Sequence, residues 1–148
     1  MQLLRIAPAF LSKEELQYIN SAAKKIREQK ATYVGTYQQS ARKYLEEEDP
    51  RKAIFEIRKG VGLDPFNWYL HYLWGTAFYQ QKNQESALGE LEFSIWCQDN
   101  IESHLMMAEI FRVDQRFADS KLQVQRSLAL DPNSKKALEI WGKIWDKQ

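Results

Sequence analysis

The chain has 148 residues, of which 44% are hydrophobic and 28% charged, a composition typical of one soluble globular domain. Its 21 basic and 20 acidic residues leave a formal net charge of +1, so bulk charge gives no support for a nucleic-acid or membrane-binding surface. No apolar run approaches the length of about 18 residues that a membrane span needs. The single cysteine, Cys97, cannot form an internal disulfide, which fits a reducing compartment. We therefore expect a cytoplasmic protein.

Residues 1–11 are apolar and contain Pro8, and we expect an ordered or docking extension there. The segment is a poor secretory signal because its apolar run is short. Ser12 followed by Glu15 forms a capping box, which predicts a helix from this point to about Lys30. The apolar stripe of this helix consists of Leu16, Ile19, Ala23 and Ile26. The other side is basic, with Lys24, Lys25, Arg27 and Lys30. It is either a solvated face or a contact for an acidic partner.

The next two helices are predicted from Tyr33 to about Glu48 and from Pro50 to about Gly62. Asp49 suits the cap of the second of them, and Pro50 suits its first turn. The acidic run before Pro50 raises the question of a carboxylate cluster for a metal or for catalysis. Adjacent carboxylates at a helix end point in different directions, so we predict a solvated run instead.

The stretch from residue 68 to 100 predicts two antiparallel helices separated by the polar turn at residues 82–84. Gly75 lies one residue after Trp74 and three before Phe78, and a facing stripe begins at Ala87. A small residue between two large apolar ones lets a second helix approach closely. Gly75 is therefore predicted to be a packing position.

A third helix pair is predicted from residue 101 to 130, with a turn at residues 114–116. The apolar residues of its second helix are Ala118, Leu122 and Val124. Asn133-Ser134 then caps a last helix, whose apolar residues are Leu138, Trp141, Ile144 and Trp145. No second helix follows it, so we expect this helix to cover the apolar end of the structure.

These helices recur along the chain at a fixed period of about 34 residues, which is the sequence mark of a stacked helical repeat. The counterparts of Gly75 are Ala41, Ala108 and Gly142, and those of Phe78 are Tyr44, Phe111 and Trp145. At these residues the chain resembles a tetratricopeptide repeat (TPR) protein over residues 33–147. Lys82 departs from the pattern, since that family usually has Gly there, and Ser40 replaces a large apolar residue.

The resemblance implies an all-α fold, a short right-handed TPR-type solenoid of three helix pairs between an N-terminal helix and a C-terminal capping helix. The expected division is 1–32 for the N-terminal extension and helix, 33–134 for the three repeats and 135–148 for the capping helix. Together these parts are predicted to form one domain.

The sequence carries no recognisable catalytic or metal-binding motif: no glycine-rich phosphate loop, nucleophile elbow or zinc motif. His71 and His104 occupy equivalent repeat positions, and packing or side-chain hydrogen bonding explains them better than a metal pair without further ligands. Cys97 has no partner base in its own stretch. We therefore expect no cofactor and no metal, and we do not expect an enzyme.

The resemblance also implies that the first helix of each repeat lines a concave groove. The predicted partner-binding residues are Gln38, Arg42, Tyr69, Tyr72, Thr76, Tyr79, Leu105, Glu109 and Arg112. Tyr69, Tyr72 and Tyr79 share one helix face, and tyrosine combines a large apolar area with a hydroxyl, as binding sites require. Alternatively, this face packs on the preceding repeat or on the N-terminal helix.

TPR domains that hold the carboxylate tails of heat-shock chaperones use a cluster of Lys, Arg and Asn in the groove. The corresponding places here hold Gln38, Arg42, Leu73, Glu102 and Met106. That clamp is mostly missing, so binding of these tails is not expected.

A narrower resemblance is to the translocator-binding (class II) chaperones of bacterial type III secretion. The sequence at 63–67, Leu-Asp-Pro-Phe-Asn, is similar to the turn that enters their second repeat, and Ala108-Glu109 to a pair in their third. This resemblance implies that the groove takes an extended segment of a hydrophobic export substrate. The alternative is a subunit of a larger assembly, or a weak homodimer, that uses its helical ends, with Trp141, Trp145 and residues 1–11.

Overall fold

The computed structural model describes residues 11–148, and this part of the chain forms seven α-helices and contains no β-strand. The helices are α1 (Lys13–Glu46), α2 (Pro50–Leu63), α3 (Trp68–Gln80), α4 (Gln84–Cys97), α5 (Ile101–Val113), α6 (Phe117–Leu130) and α7 (Lys135–Ile144). None of them combines the length and the apolar character of a membrane span. Of the expected N-terminal extension only Leu11 lies within the described residues.

Side chains in the connecting turns fix where most of the helices begin. Ser12 and Glu15 form the predicted capping box, in which each side chain bonds the other residue's backbone N–H. Asp49 accepts a hydrogen bond from the N–H of Lys52 at 3.1 Å, and Pro50 opens α2. Ser134 caps α7 as predicted. The remaining side-chain caps are Asn67 on α3, Asn83 on α4 and Asn100 on α5.

One continuous helix, α1, occupies the place of the two helices predicted before Pro50. The predicted break between Lys30 and Tyr33 is wrong. Thr32, which could cap a new helix, instead donates its hydroxyl to the carbonyl of Glu28 at 3.0 Å within the same helix. The predicted boundary at residue 32 therefore falls inside α1.

The seven helices stack as a right-handed solenoid of three pairs, α1–α2, α3–α4 and α5–α6, with α7 packed on α5 and α6. Buried apolar side chains form three clusters at the joints between neighbouring helices. The first contains Ala41, Leu45, Ala53, Ile57, Leu73 and Ala77. The second contains Ala87, Leu91, Met107, Ile110 and Phe111. The third contains Ala108, Val124, Ala137, Ile140 and Ile144.

At Gly75 the helices α3 and α4 are in close contact. A Cβ atom there would lie 2.7 Å from Cγ of Leu91 and 3.1 Å from the carbonyl oxygen of Ala87. The steric role predicted for Gly75 is thus confirmed. Its counterpart Gly142 differs, because a Cβ at Gly142 would meet nothing within 4 Å. No described helix approaches Gly142 as α4 approaches Gly75.

Three of the residues predicted to form apolar stripes in the last two helices are exposed. Leu138 is 51% exposed and Trp145 is 65% exposed, and Leu122 is exposed as well. In α6 the buried face consists instead of Ser120, Gln123, Val124 and Ser127. The serines can occupy core positions because their hydroxyls donate to backbone carbonyls, as that of Ser120 does to Ala108 at 2.8 Å.

The turn inside each helix pair contains one residue with a positive φ. These residues are Glu48 (φ 56°), Lys82 (φ 62°) and Gln115 (φ 59°). Their spacing along the chain follows the repeat period, so the repeat includes the left-handed conformation that ends the first helix of each pair. Residues other than glycine adopt this conformation at a cost in free energy, because they have a Cβ atom.

Candidate binding groove

Two neighbouring cavities lie on the faces of the first helices, and we call them together the groove. The cavity between α1 and α3, about 250 Å³, is the α3 pocket; it is lined by Arg42, Leu45, Glu46, Tyr69, Tyr72, Leu73, Thr76 and Gln80. The cavity between α3, α5 and α7, about 270 Å³, is the α5 pocket; it is lined by Tyr72, Glu102, Leu105, Met106, Glu109 and Lys136. Tyr72 lines both pockets and so joins them.

Tyr72 is half-buried and is held from several sides. Its ring stacks with that of Tyr69 at a centroid distance of 5.7 Å, and it packs against both the first and the second core cluster. Burial raises the pKa of its hydroxyl, and the nearby Tyr69 and Glu102 act in the same direction. Its phenol group can both donate and accept a hydrogen bond, and Tyr72 lines both pockets.

The three predicted tyrosines do not all reach the groove. Tyr69 lines the α3 pocket and also packs on the first core cluster. Tyr79 packs on the second cluster and lines neither pocket. Packing and groove lining, which the sequence presents as alternatives, thus coincide at Tyr69 and Tyr72, while Tyr79 serves packing.

The other predicted residues are divided in the same way. Arg42 and Thr76 line the α3 pocket, and Leu105 and Glu109 line the α5 pocket. Arg112 lines neither but forms an ion pair with Glu109 at 2.6 Å.

Gln38 does not reach the groove. Its side-chain amide donates to Oδ1 of Asn67 at 2.9 Å, beside the start of α3, and it lines a different cavity.

Several groove residues are absent from the predicted partner-binding set. Leu45, Leu73 and Gln80 line the α3 pocket, and Glu102, Met106 and Lys136 line the α5 pocket. Leu73 and Met106 are one repeat period apart, so they occupy equivalent positions of α3 and α5. That equivalence is the sequence signal by which they can be found.

The charged residues of the groove are partly neutralised by each other. Arg42 pairs with Glu46 at 3.5 Å, and Glu109 pairs with Arg112. Within the described part of the chain, Glu102 and Lys136 form no ion pair. These two side chains are therefore free to meet charges on a bound partner.

The two histidines are held by hydrogen bonds, as predicted. His71 contacts Glu90 through Nδ1 and the carbonyl of Pro65 through Nε2, both at 2.7 Å. His104 contacts Gln123 through Nδ1 and Asp99 through Nε2, also at 2.7 Å. In both cases the Nδ1 partner lies 19 residues further along the chain, on the second helix of the pair, so the repeat includes this contact.

No group of three or more potential metal ligands occurs among residues 11–148. Burial and the nearby charge of Asp64 raise the pKa of the Cys97 thiol. A reactive cysteine needs the opposite shift, since the thiolate is the nucleophile. Another cavity lies at the turns around residues 47–51. Its lining includes Asp49, which caps α2, and Glu47, which pairs with Lys43 at 3.8 Å.

No known protein family's sequence profile matches the chain, and no curated protein sequence does so either. Solved structures of TPR domains are similar to it in fold. The first TPR domain of Spaghetti (RPAP3), bound to the HSP90 peptide SRMEEVD, has a TM-score of 0.72 and 20% identity, over 77% of this chain and 94% of that domain. The Arabidopsis OM64 TPR domain has a TM-score of 0.72 at 13% identity, over 78% and 97%.

The second TPR domain of human RPAP3, in complex with the HSP70 peptide SGPTIEEVD, has a TM-score of 0.69 at 17% identity, over 80% of this chain and 99% of that domain. At these identities the likeness shows the fold. The described chain has the TPR solenoid fold.

Proposed function

We propose that the chain is a non-catalytic protein-interaction module that binds a segment of a partner protein in the groove. The observation that carries this proposal is the position of Tyr72, which lines two pockets whose walls combine apolar side chains with a few polar and charged ones. Binding sites for peptides and ligands have this composition, and tyrosine is enriched among the residues that dominate binding energy.

The chemistry of the pockets supports a segment with two apolar side chains. Leu45 and Leu73 offer apolar surface in the α3 pocket, and Leu105 and Met106 do so in the α5 pocket. Methionine is flexible and adapts to side chains of different shapes. Tyr72 lines both pockets, and its hydroxyl offers a hydrogen bond to the backbone of a segment that spans them.

Two of the similar structures hold peptides that end in EEVD. They support peptide binding as the function of this fold. In the present groove Leu73, Glu102 and Met106 stand where a carboxylate clamp needs donors, so we propose a partner with apolar anchors rather than an acidic tail. Glu102 in particular would repel a carboxylate.

At a finer level we propose a chaperone for substrates of type III secretion, acting in the cytoplasm. The similarity at residues 63–67 and at Ala108-Glu109 supports this role. The groove chemistry agrees with it, since a hydrophobic export substrate offers the apolar side chains that the two pockets accept.

The test is affinity capture from lysate of the source organism, followed by calorimetry with a peptide from the captured partner. Tyr72→Ala combined with Leu105→Ala should reduce peptide affinity at least about tenfold, as expected for removing two central contacts. The matched control is Leu122→Ala, an exposed leucine on α6. Circular dichroism must show that each variant is folded. Unchanged affinity in the double variant would refute the groove, and the identity of the partner decides whether it is a secretion substrate.

A specific observation favours a second candidate, an assembly subunit or homodimer that uses its helical ends. No residue of α1 before Val34 is buried, and this half carries Tyr18 at 75% and Ile26 at 66% exposure. Exposed apolar residues along one helix face mark interaction sites. Analytical ultracentrifugation of the wild type and of Ile19→Lys/Ile26→Lys tests this alternative. The homodimer hypothesis requires that the wild type is a dimer and that the double substitution dissociates it. A monomeric wild type excludes the homodimer.

A further inference from the structure

A third cavity lies beside the groove, between α1 and the turn that connects α2 with α3, and we call it the basic pocket. Its volume is about 340 Å³, and it is lined by Arg27, Lys30, Ala31, Val34, Gly35, Gln38, Asp64 and Asn67. It shares no lining residue with the α3 or α5 pocket. Whatever it binds is therefore a separate question from the occupant of the groove.

The basic pocket has more positive than negative side chains, and the positive ones form no ion pair within the described part of the chain. Arg27 and Lys30 lie about one turn apart on α1, and neither forms an ion pair with another residue between 11 and 148. Asp64 is the single carboxylate among the lining residues, and it already accepts a hydrogen bond from Nδ2 of Asn67 at 3.0 Å. Two cations against one carboxylate give the lining a formal charge of +1.

The polar wall of the pocket is fixed before any ligand arrives. Nε2 of Gln38 donates to Oδ1 of Asn67 at 2.9 Å, and the same oxygen accepts the N–H of Leu70 at the start of α3. Asn67 is thereby held between α1 and α3, and it holds Asp64 in turn. Binding does not have to pay for ordering these side chains.

The lining of the basic pocket also includes apolar residues and free space. Val34 is buried and Ala31 adds a methyl group. A Cβ atom at Gly35 would meet nothing within 4 Å, so the missing side chain contributes to the free space. The pocket thus offers two cations beside an apolar surface.

We propose that the basic pocket binds a carboxylate of an acidic peptide segment, with a neighbouring apolar side chain of that segment over Ala31 and Val34. Arg27 and Lys30 supply the charge-assisted hydrogen bonds. A single carboxylate matches the formal charge of +1 of the lining, whereas a doubly charged phosphate would leave an excess negative charge. The apolar lining residues Ala31 and Val34 favour a peptide over a free anion.

The probe is a fluorescein-labelled hexapeptide of alternating leucine and glutamate, compared with the same peptide carrying glutamine for glutamate. Fluorescence anisotropy at low ionic strength should show the glutamate peptide binding at least about tenfold more tightly, and added salt should weaken it. Equal affinity for both peptides, or no binding of either, overturns the proposal.

Two variants with matched controls locate the site. A Cβ at Gly35 would meet nothing within 4 Å, so Gly35→Leu places a side chain at the pocket and should reduce the peptide affinity about tenfold. Gly62→Leu, at another open glycine, should not reduce it. Arg27→Glu/Lys30→Glu should reduce the peptide affinity at least as much. The control Lys24→Glu/Lys25→Glu changes the net charge of α1 equally and should leave most of the affinity.

The outcomes separate this site from the groove. If Lys24→Glu/Lys25→Glu lowers the peptide affinity as much as Arg27→Glu/Lys30→Glu does, the peptide is attracted unspecifically to a basic helix and the proposal is refuted. Unchanged affinity for the glutamate peptide in Gly35→Leu would refute the proposal as well. Tyr72→Ala, which alters the groove, tests whether the probe binds there instead: a loss of probe affinity in this variant equal to that in Gly35→Leu would refute the proposal. Circular dichroism confirms that each variant is folded.

Discussion

The ring of His71 lies between two acceptors, with Nδ1 2.7 Å from Oε2 of Glu90 and Nε2 2.7 Å from the carbonyl oxygen of Pro65. A neutral imidazole has one N–H and can donate to only one of them, whereas the imidazolium donates to both. Burial lowers the pKa of His71, but the two hydrogen bonds and the charges of Glu90 and Asp64 outweigh it, so the pKa is raised.

Stability should therefore depend on pH through this contact. Because the folded pKa lies above the ordinary value of 6.5, the contribution is complete below about pH 6.5 and is lost as pH rises through the raised value. We expect Glu90→Gln to lower the free energy of unfolding by about 1–2 kcal/mol at pH near 5.5, and by less at pH near 8.5. Urea unfolding at both pH values measures this. Glu92→Gln on the same helix is the control, and an equal pH response in both variants would contradict the assignment.

Two glycines at equivalent repeat positions should respond to alanine in opposite directions. Gly75→Ala forces a Cβ against Leu91 and should cost about 1–3 kcal/mol of unfolding free energy. Gly142→Ala meets no neighbour and gains helix propensity, so it should stabilise α7 by up to about 1 kcal/mol. Thermal and urea unfolding of both variants check the pair. If both variants are more stable than the wild type, α3 and α4 are less closely packed at Gly75 than the structure shows.

Glycine should be favourable at the three turns with positive φ. Lys82→Gly relieves the left-handed strain of a residue with a Cβ and should stabilise the chain by about 0.5–1 kcal/mol. Glu85→Gly, inside the first turn of α4, should destabilise it by a similar amount. Chemical denaturation of the two variants distinguishes strain relief from a general effect of glycine. A loss of stability in Lys82→Gly would argue against strain at that turn.

The Ser94 hydroxyl joins three helices and should matter more than its size suggests. It donates to the carbonyl of Trp68 at 2.7 Å and accepts from Asn100 and Ser103 at 3.1 and 2.9 Å. Ser94→Ala leaves these buried groups without that partner, so we expect a loss of about 1–3 kcal/mol. The exposed Ser21→Ala should change the stability by less than about 0.5 kcal/mol. If Ser94→Ala and Ser21→Ala change the free energy of unfolding by equally small amounts, the buried groups find other hydrogen-bond partners.

The repeat period is sufficient to predict the helix pairs, their turns and the close approach at Gly75. It predicts the first repeat less well, because the boundary near residue 32 rests on analogy with the other repeats. The local chemistry gives no break: Ala31 is a strong helix former, and no proline or glycine separates Lys30 from Tyr33. The local sequence thus favours one continuous helix, and only the repeat pattern argues for two.

The candidate groove could be predicted only in part. Arg42, Tyr69, Tyr72, Thr76, Leu105 and Glu109 line its pockets, whereas Gln38, Tyr79 and Arg112 do not. Helical spacing places residues on a face, but the rotation of α3 between its neighbours decides which of them point into a cavity. That rotation depends on packing across repeats, as at Tyr79 against the second core cluster. Likewise, hydrogen bonding of Gln38 to Asn67 joins residues 29 positions apart.

The unbroken hydrogen-bond ladder of α1 gives the molecule a mechanical property. At about 1.5 Å per residue, its 34 residues form a rod about 50 Å long, in which the buried residues begin at Val34. The packing of Ala41 and Leu45 against α2 fixes the direction of this rod relative to the first repeat. A partner bound along the part of this helix before Val34 would therefore keep a fixed direction relative to the first repeat.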